Sequence, residues 1–165
     1  QKELLPSWGG KWLGKTTVGP SNVHNGRMTG ALPNGHINPK PLADTISPSQ
    51  GMDRNGPTAV IKSVGKLPMH RIAAGGPMNL RLSPQLVATD RDIDNFVSFL
   101  RTVEELGIYH IQFNIISSDT LRKAMKEPQN YRDLMVRVAS NVAYFVDLAE
   151  DVQLDIISRT EHQGL

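Results

Sequence analysis

The clearest pattern along the chain lies between residues 93 and 106, where Ile93, Phe96, Val97, Leu100, Val103 and Leu106 recur at intervals of three and four. That spacing predicts an amphipathic helix, with Asp90 or Asp92 as its N-cap and Gly107 just past its end. The period then changes. In IYHIQFNII, Tyr109, Ile111, Phe113 and Ile115 alternate with His110, Gln112 and Asn114, which predicts a strand with unlike faces. Tyr109 and Phe113 stand among aliphatic neighbours and are expected in the core. The polar face has two readings: the lining of a cavity, or the wetted side of an antiparallel strand.

After the strand, Ser117, Ser118 or Asp119 offers a cap to a short helix through Leu121 and Met125 that stops near Pro128. A last helix is expected from about Glu150 to Glu161, with Val152, Ile156 and Ile157 facing inward. Upstream, Pro57 at an N1-like position opens a helix toward Leu67, and Met78 to Leu82 is a weak second strand. The order of elements is an α/β pattern. One strand, or two, leaves backbone N–H and C=O groups unpaired along its edges, so the sheet is expected to be completed by a larger body.

Composition divides the chain near residue 88, before which lie 12 of its 14 glycines and 10 of its 11 prolines. Residues 6 to 57 are dense in turn formers such as Pro33-Asn34-Gly35, and compact domains seldom hold so long a stretch without periodic structure. This segment is expected to be a functional loop system or a wrapping laid over another surface. Charge divides at the same place, with 10 basic and 3 acidic residues up to 88 against 8 basic and 13 acidic after it, so the two parts are expected to attract. The net charge of +2 is too small an excess to argue for nucleic acid or an anionic membrane, and no partner of either kind is expected. With no cysteine among its 165 residues, the chain has no disulfide, thiolate metal site or nucleophilic thiol. It begins at Gln1 without a targeting segment, and is expected to be a piece of a longer polypeptide.

Generic site patterns mostly fail. The five histidines show no metal-ligand spacing, so no metal or other bound cofactor is expected. Gly9 to Thr16 matches the phosphate-loop pattern, yet the preceding QKELLPSW is not a strand that delivers glycines to a helix, and the match reads as coincidence.

Three long segments nevertheless resemble a known family in the same order: GALPNGHINPKPLADTISPSQGMDRNGPTAVIKSVGKL, YHIQFNIISSDTLRKAMKEPQNYRDLMVRVAS and AYFVDLAEDVQLDIISRTEH. Together they resemble the C-terminal portion of glycyl radical enzymes, nearest the glycerol and diol dehydratase and choline trimethylamine-lyase branch, with pyruvate formate-lyase more distant. The likeness runs from Gly30 to the end, which divides the chain into a loop-rich segment, 1–29, and a glycyl-radical-type region, 30–165. It implies the C-terminal part of a ten-stranded α/β barrel, incomplete in this chain, in a cytoplasmic enzyme of anaerobic metabolism.

The resemblance implies a lyase or dehydratase that breaks a C–O, C–N or C–C bond by radical chemistry. A separate activating enzyme, using S-adenosylmethionine and an iron–sulfur cluster, removes a hydrogen from a loop glycine. The glycyl radical then makes a thiyl radical on a cysteine of a second loop. The family pattern at the radical loop is Arg-Val, a small residue, the radical glycine, an aromatic, a small residue and Ala. Here it reads Arg137-Val138-Ala139-Ser140-Asn141-Val142-Ala143, which puts Ser140 at the radical position. A Cα radical is delocalised over its flanking amides when planar, and a side chain crowds that planarity. With Ser140 and no cysteine, the chain is expected to be inactive alone.

Arg159 aligns with an arginine near the radical loop, although as a helix-end cation it also suits the macrodipole. Gln112 and Asn114 fall on the strand beside that loop, where the resemblance favours an interior, substrate-facing role. Expected partners are the remainder of the barrel or a larger subunit, and the activating enzyme. The alternative reading is a non-catalytic adaptor or subunit that binds a partner barrel or an activating enzyme.

Overall fold

A computed structural model describes residues 21–72, 75–139 and 141–165, and its elements are α/β. Strand β1 (Met78–Leu82) pairs in parallel with β2 (Ile111–Ile115) on one side and with the short β5 (Glu161–His162) on the other. Parallel neighbours need a crossover. Between β1 and β2 it is α3 (Asp90–Glu105); between β2 and β5 it is α4 (Ser118–Lys126), the antiparallel hairpin of β3 (Met135–Val138) and β4 (Asn141–Tyr144), and α5 (Glu150–Ser158). The weak strand at 78–82 is thus the centre of the three-stranded sheet.

Local chemistry accounts for the boundaries. Helix α3 is capped by Thr89 rather than Asp90 or Asp92: the Thr89 hydroxyl accepts from the Asp92 N–H while the Asp92 carboxylate accepts from the Thr89 N–H. Gly107, with φ of 68°, ends it as expected. Ser117 caps α4 through the Thr120 N–H, and Pro57 opens α2 (Pro57–Val64). Helix α5 ends at Ser158, not Glu161, because residues 161 and 162 leave it to join β1. Helix α1 (Ser21–Met28) lies inside the segment read as loop; with one apolar side chain, Val23, facing in, it has no periodicity to find. Gly26 admits it, since a Cβ there would stand 2.2 Å from the Lys40 carbonyl oxygen.

Two separate hydrophobic clusters hold the chain. The first joins α2, β1 and α3 through Ile61, Val64, Met78, Leu80, Phe99 and Val103, with Phe113 meeting Phe96 and Phe99 edge to face. The second joins α4, the hairpin and α5 through Leu121, Ala124, Val136, Val138, Phe145 and Ile156. Helix α3 buries Phe99 and Val103, whereas Ile93, Val97 and Leu100 lie on a second stripe that is 47%, 38% and 36% exposed. Tyr109, expected in the core, precedes β2 and is 74% exposed. Among the described residues no helix is long and apolar enough to cross a membrane.

Candidate functional site

Between the two clusters lies a polar layer. Strand register sets Asn79 beside Gln112, and Arg81 beside both Asn114 and Glu161. The two-residue period turns these five side chains to the face opposite Leu80 and Phe113. Asn79, Arg81, Gln112 and Asn114 are all buried. Because β2 pairs in parallel and Gln112 and Asn114 are buried, the wetted-antiparallel reading is overturned for these two side chains, whereas His110, just before the strand, is exposed.

Asn114 reaches from β2 to the hairpin. Its Nδ2 donates to the Arg137 carbonyl oxygen at 3.0 Å, and its Oδ1 accepts from the Arg137 N–H at 2.8 Å. Gln112 is placed differently: its Nε2 lies 2.7 Å from His110 Nε2, while its Oε1 has no protein partner among the described residues. On the hairpin, Val138 pairs with Asn141, and Ala139 takes the left-handed φ of 51°. Position 140, where the sequence places the radical site, lies outside the described residues, as does the phosphate-loop match at 9–16.

Arg159 ends α5 and turns its guanidinium to two carboxylates. Nη2 donates to Asp155 Oδ2 at 2.9 Å, and Nη1 stands 3.2 Å from Asp44 Oδ2. The same carboxylates tie in the loop segment: Asp155 accepts from Gln50 and Asn22 of that segment, and Asp44, itself part of it, accepts from Asn79 on β1. Arg159 therefore ties residues 22–50 to α5, and its charge is spent on acids rather than on the helix terminus alone. Burial raises the Asp44 carboxyl above its ordinary range, and the attraction of Arg159 and the Asn79 bond only partly offset this. Among the described residues, the expected attraction between halves is seen in Arg27 with Asp151 at 2.6 Å and in the pull of Glu161 on Arg81, whereas the buried Asp44–Arg159 pair runs in the opposite sense.

Sequence reasoning missed Arg81, Asp53 and Glu161. Burial lowers the Arg81 pKa, and the attraction of Glu161 partly offsets this. Glu161 accepts from the N–H and hydroxyl of Ser118 at the start of α4; burial alone would raise its pKa, but these bonds hold it below the usual carboxylate range. Asp53 lies 3.0 Å from His162 Nε2 and accepts from Thr160, contacts that outweigh burial and lower its pKa. None has a sequence signal, since each pairs across more than 40 residues. No group of three or more His, Cys, Asp or Glu suited to a metal occurs among the described residues.

A family model described as "Glycine radical" matches residues 42–146. Isethionate sulfite-lyase of Bilophila wadsworthia is 46% identical over 88% of this chain and 18% of that protein. Trans-4-hydroxy-L-proline dehydratase of Clostridioides difficile is 42% identical over 85% of this chain and 18% of its own length. The solved structure of the glycerol-bound B12-independent glycerol dehydratase from Clostridium butyricum matches with a TM-score of 0.90 and 39% identity, covering 94% of this chain and 20% of that one. The chain thus spans about a fifth of the length of these relatives and corresponds to the C-terminal part of their barrel. A family match over residues 42–146, with a fold shared at that TM-score, establishes that the chain belongs to the glycine radical family.

Proposed function

We propose that the chain is the radical-loop portion of a glycyl radical lyase or dehydratase, one that completes a larger barrel and has lost radical storage at Ser140. The observation that carries this reading is the hairpin. Arg137-Val138 and Ala143 of the family pattern flank position 140 on two paired strands, with the buried Ala139 in the left-handed region beside it. Serine at position 140 brings a hydroxymethyl group to a Cα that must be bare for radical delocalisation. The substrate-facing role falls to Gln112, whose unpartnered buried Oε1 is free to accept a hydrogen bond from a small hydroxyl or amino compound. Arg159 supports the loop segment behind it.

The same residues favour a second reading, a catalytically silent adaptor, because Ser140 replaces the glycine on which the radical relay starts. Either way the hairpin offers an apolar face: Met135, Val142 and Tyr144 are 62%, 52% and 49% exposed and suit burial against a larger body. Co-purification separates the two. A barrel-completing piece binds the Clostridium butyricum glycerol dehydratase truncated before its matching region and ignores the intact enzyme. An adaptor binds the intact enzyme. Binding to neither overturns both readings.

A further inference from the structure

We propose that Asn114 is the positioning residue that fixes the hairpin against the sheet. Its bearing on radical chemistry rests on the reading of position 140 above; the docking itself does not.

The geometry follows from antiparallel pairing. Residues facing each other alternate between pairs that exchange both backbone hydrogen bonds and pairs that exchange none. Phe145 N–H donates to the Leu134 carbonyl at 2.8 Å, which marks the 134–145 pair as bonded. Alternation through the register of β3 and β4 then makes 136–143 and 138–141 bonded pairs, and leaves 137–142 unbonded. The Arg137 N–H and C=O therefore point away from β4, toward β2. A neighbouring strand would meet them with its own backbone, but β2 and β3 share no ladder. The Asn114 amide takes that place, since it carries the same donor and acceptor as a peptide group and contacts both Arg137 atoms at 3.0 and 2.8 Å.

The apolar side of the hairpin, Val136 and Val138, packs on α4 and α5, which makes it part of the second cluster but does not set where that cluster meets the sheet. Dispersion contacts are non-directional; a two-point amide pair is directional. Arg137 stands one residue before Val138, the last residue of β3, and two before the left-handed Ala139, so a shift at this pair bears on the end of the strand and its turn. A carboxylate at position 114 would keep the acceptor and lose the donor. A valine or leucine of similar size would leave both Arg137 groups unpaired.

Amide hydrogen exchange on the full chain tests this. In Asn114→Ala the Arg137 amide is expected to exchange about tenfold faster or more, with Leu80 and Val103 in the first cluster within about twofold of the unsubstituted chain. Asn114→Asp, close in shape and so safe for packing, still accepts from the Arg137 N–H and is expected to give a smaller rise. Gln112→Ala, on the same face of the same strand, is expected to leave Arg137 unchanged. An Arg137 amide within about twofold of the unsubstituted chain in both Asn114 variants overturns the proposal, as does an equal rise at Leu80 and Val103, which marks general loss of stability. Should Asn114→Ala not fold, Asn114→Leu, which likewise leaves both Arg137 groups unpaired, carries the test by the same criteria, and neither result depends on what Ser140 does.

Discussion

Replacing Arg159 with methionine keeps most of the side chain's volume and removes its charge. The two carboxylates it leaves are buried, with side chains 3% exposed at Asp44 and 1% at Asp155. An exposed ion pair lost in this way costs about 0–1 kcal/mol, but breaking a buried one leaves uncompensated charge and costs about 3–5 kcal/mol. That is a large share of the roughly 5–15 kcal/mol that holds a domain together. With a urea slope of about 2 kcal/mol/M, the unfolding midpoint of Arg159→Met should fall by about 2 M at pH 7, read by far-ultraviolet circular dichroism. The loss should also shrink in acid. Asp44 already lies above its ordinary pKa through burial, and without Arg159 it rises further, so the folded variant takes up a proton as the pH drops. Each pH unit below that raised value recovers up to about 1.4 kcal/mol. A loss under about 1 kcal/mol, or one that does not shrink as the pH falls from 7 toward the ordinary carboxylate value of about 4, would refute the buried-hub account.

Other expectations follow from the same layer. Asp53 and Glu161 are both held below their ordinary carboxylate values, so the folded state binds fewer protons than the unfolded chain; their contribution is full above the unfolded values and is lost as pH falls through the folded ones. Acid titration of stability should therefore show a decline below about pH 4.5 that Asp53→Asn and Glu161→Gln each make shallower. Asp44 works in the opposite sense, being most favourable below its ordinary value, so Asp44→Asn should make the decline steeper. Ala139→Val places a β-branched side chain at a buried residue with φ of 51°, and should destabilise by about 2 kcal/mol or more in the same urea assay.

The helices and the central strands were legible because their signals are local. Thr89 to Gly107 carries a capping box, an apolar period and a terminating glycine within one stretch, and β2 carries its alternation in five residues. Helix α1 was not, since it is held by Asn22 reaching Asp155 over 133 residues and by a close approach of Gly26 to Lys40. Periodicity marked Ile93, Val97 and Leu100 as apolar but could not tell which of two adjacent stripes on α3 meets the sheet; Phe99 and Val103 do. The polar residues of β2 were visible as a pattern, yet their partners were not. That Asn114 meets the backbone of Arg137, and Arg159 meets Asp44, depends on how a hairpin and a loop fold back, which no spacing encodes.

The central claim, that position 140 is the radical position and that serine silences it, is met most directly by electron paramagnetic resonance after anaerobic treatment with a glycyl radical activating enzyme, S-adenosylmethionine and a reductant. The account predicts no signal from the unsubstituted chain and a doublet from Ser140→Gly, collapsing to a singlet when the glycine carries deuterium at Cα. A doublet from the unsubstituted chain, or silence from both, would contradict it.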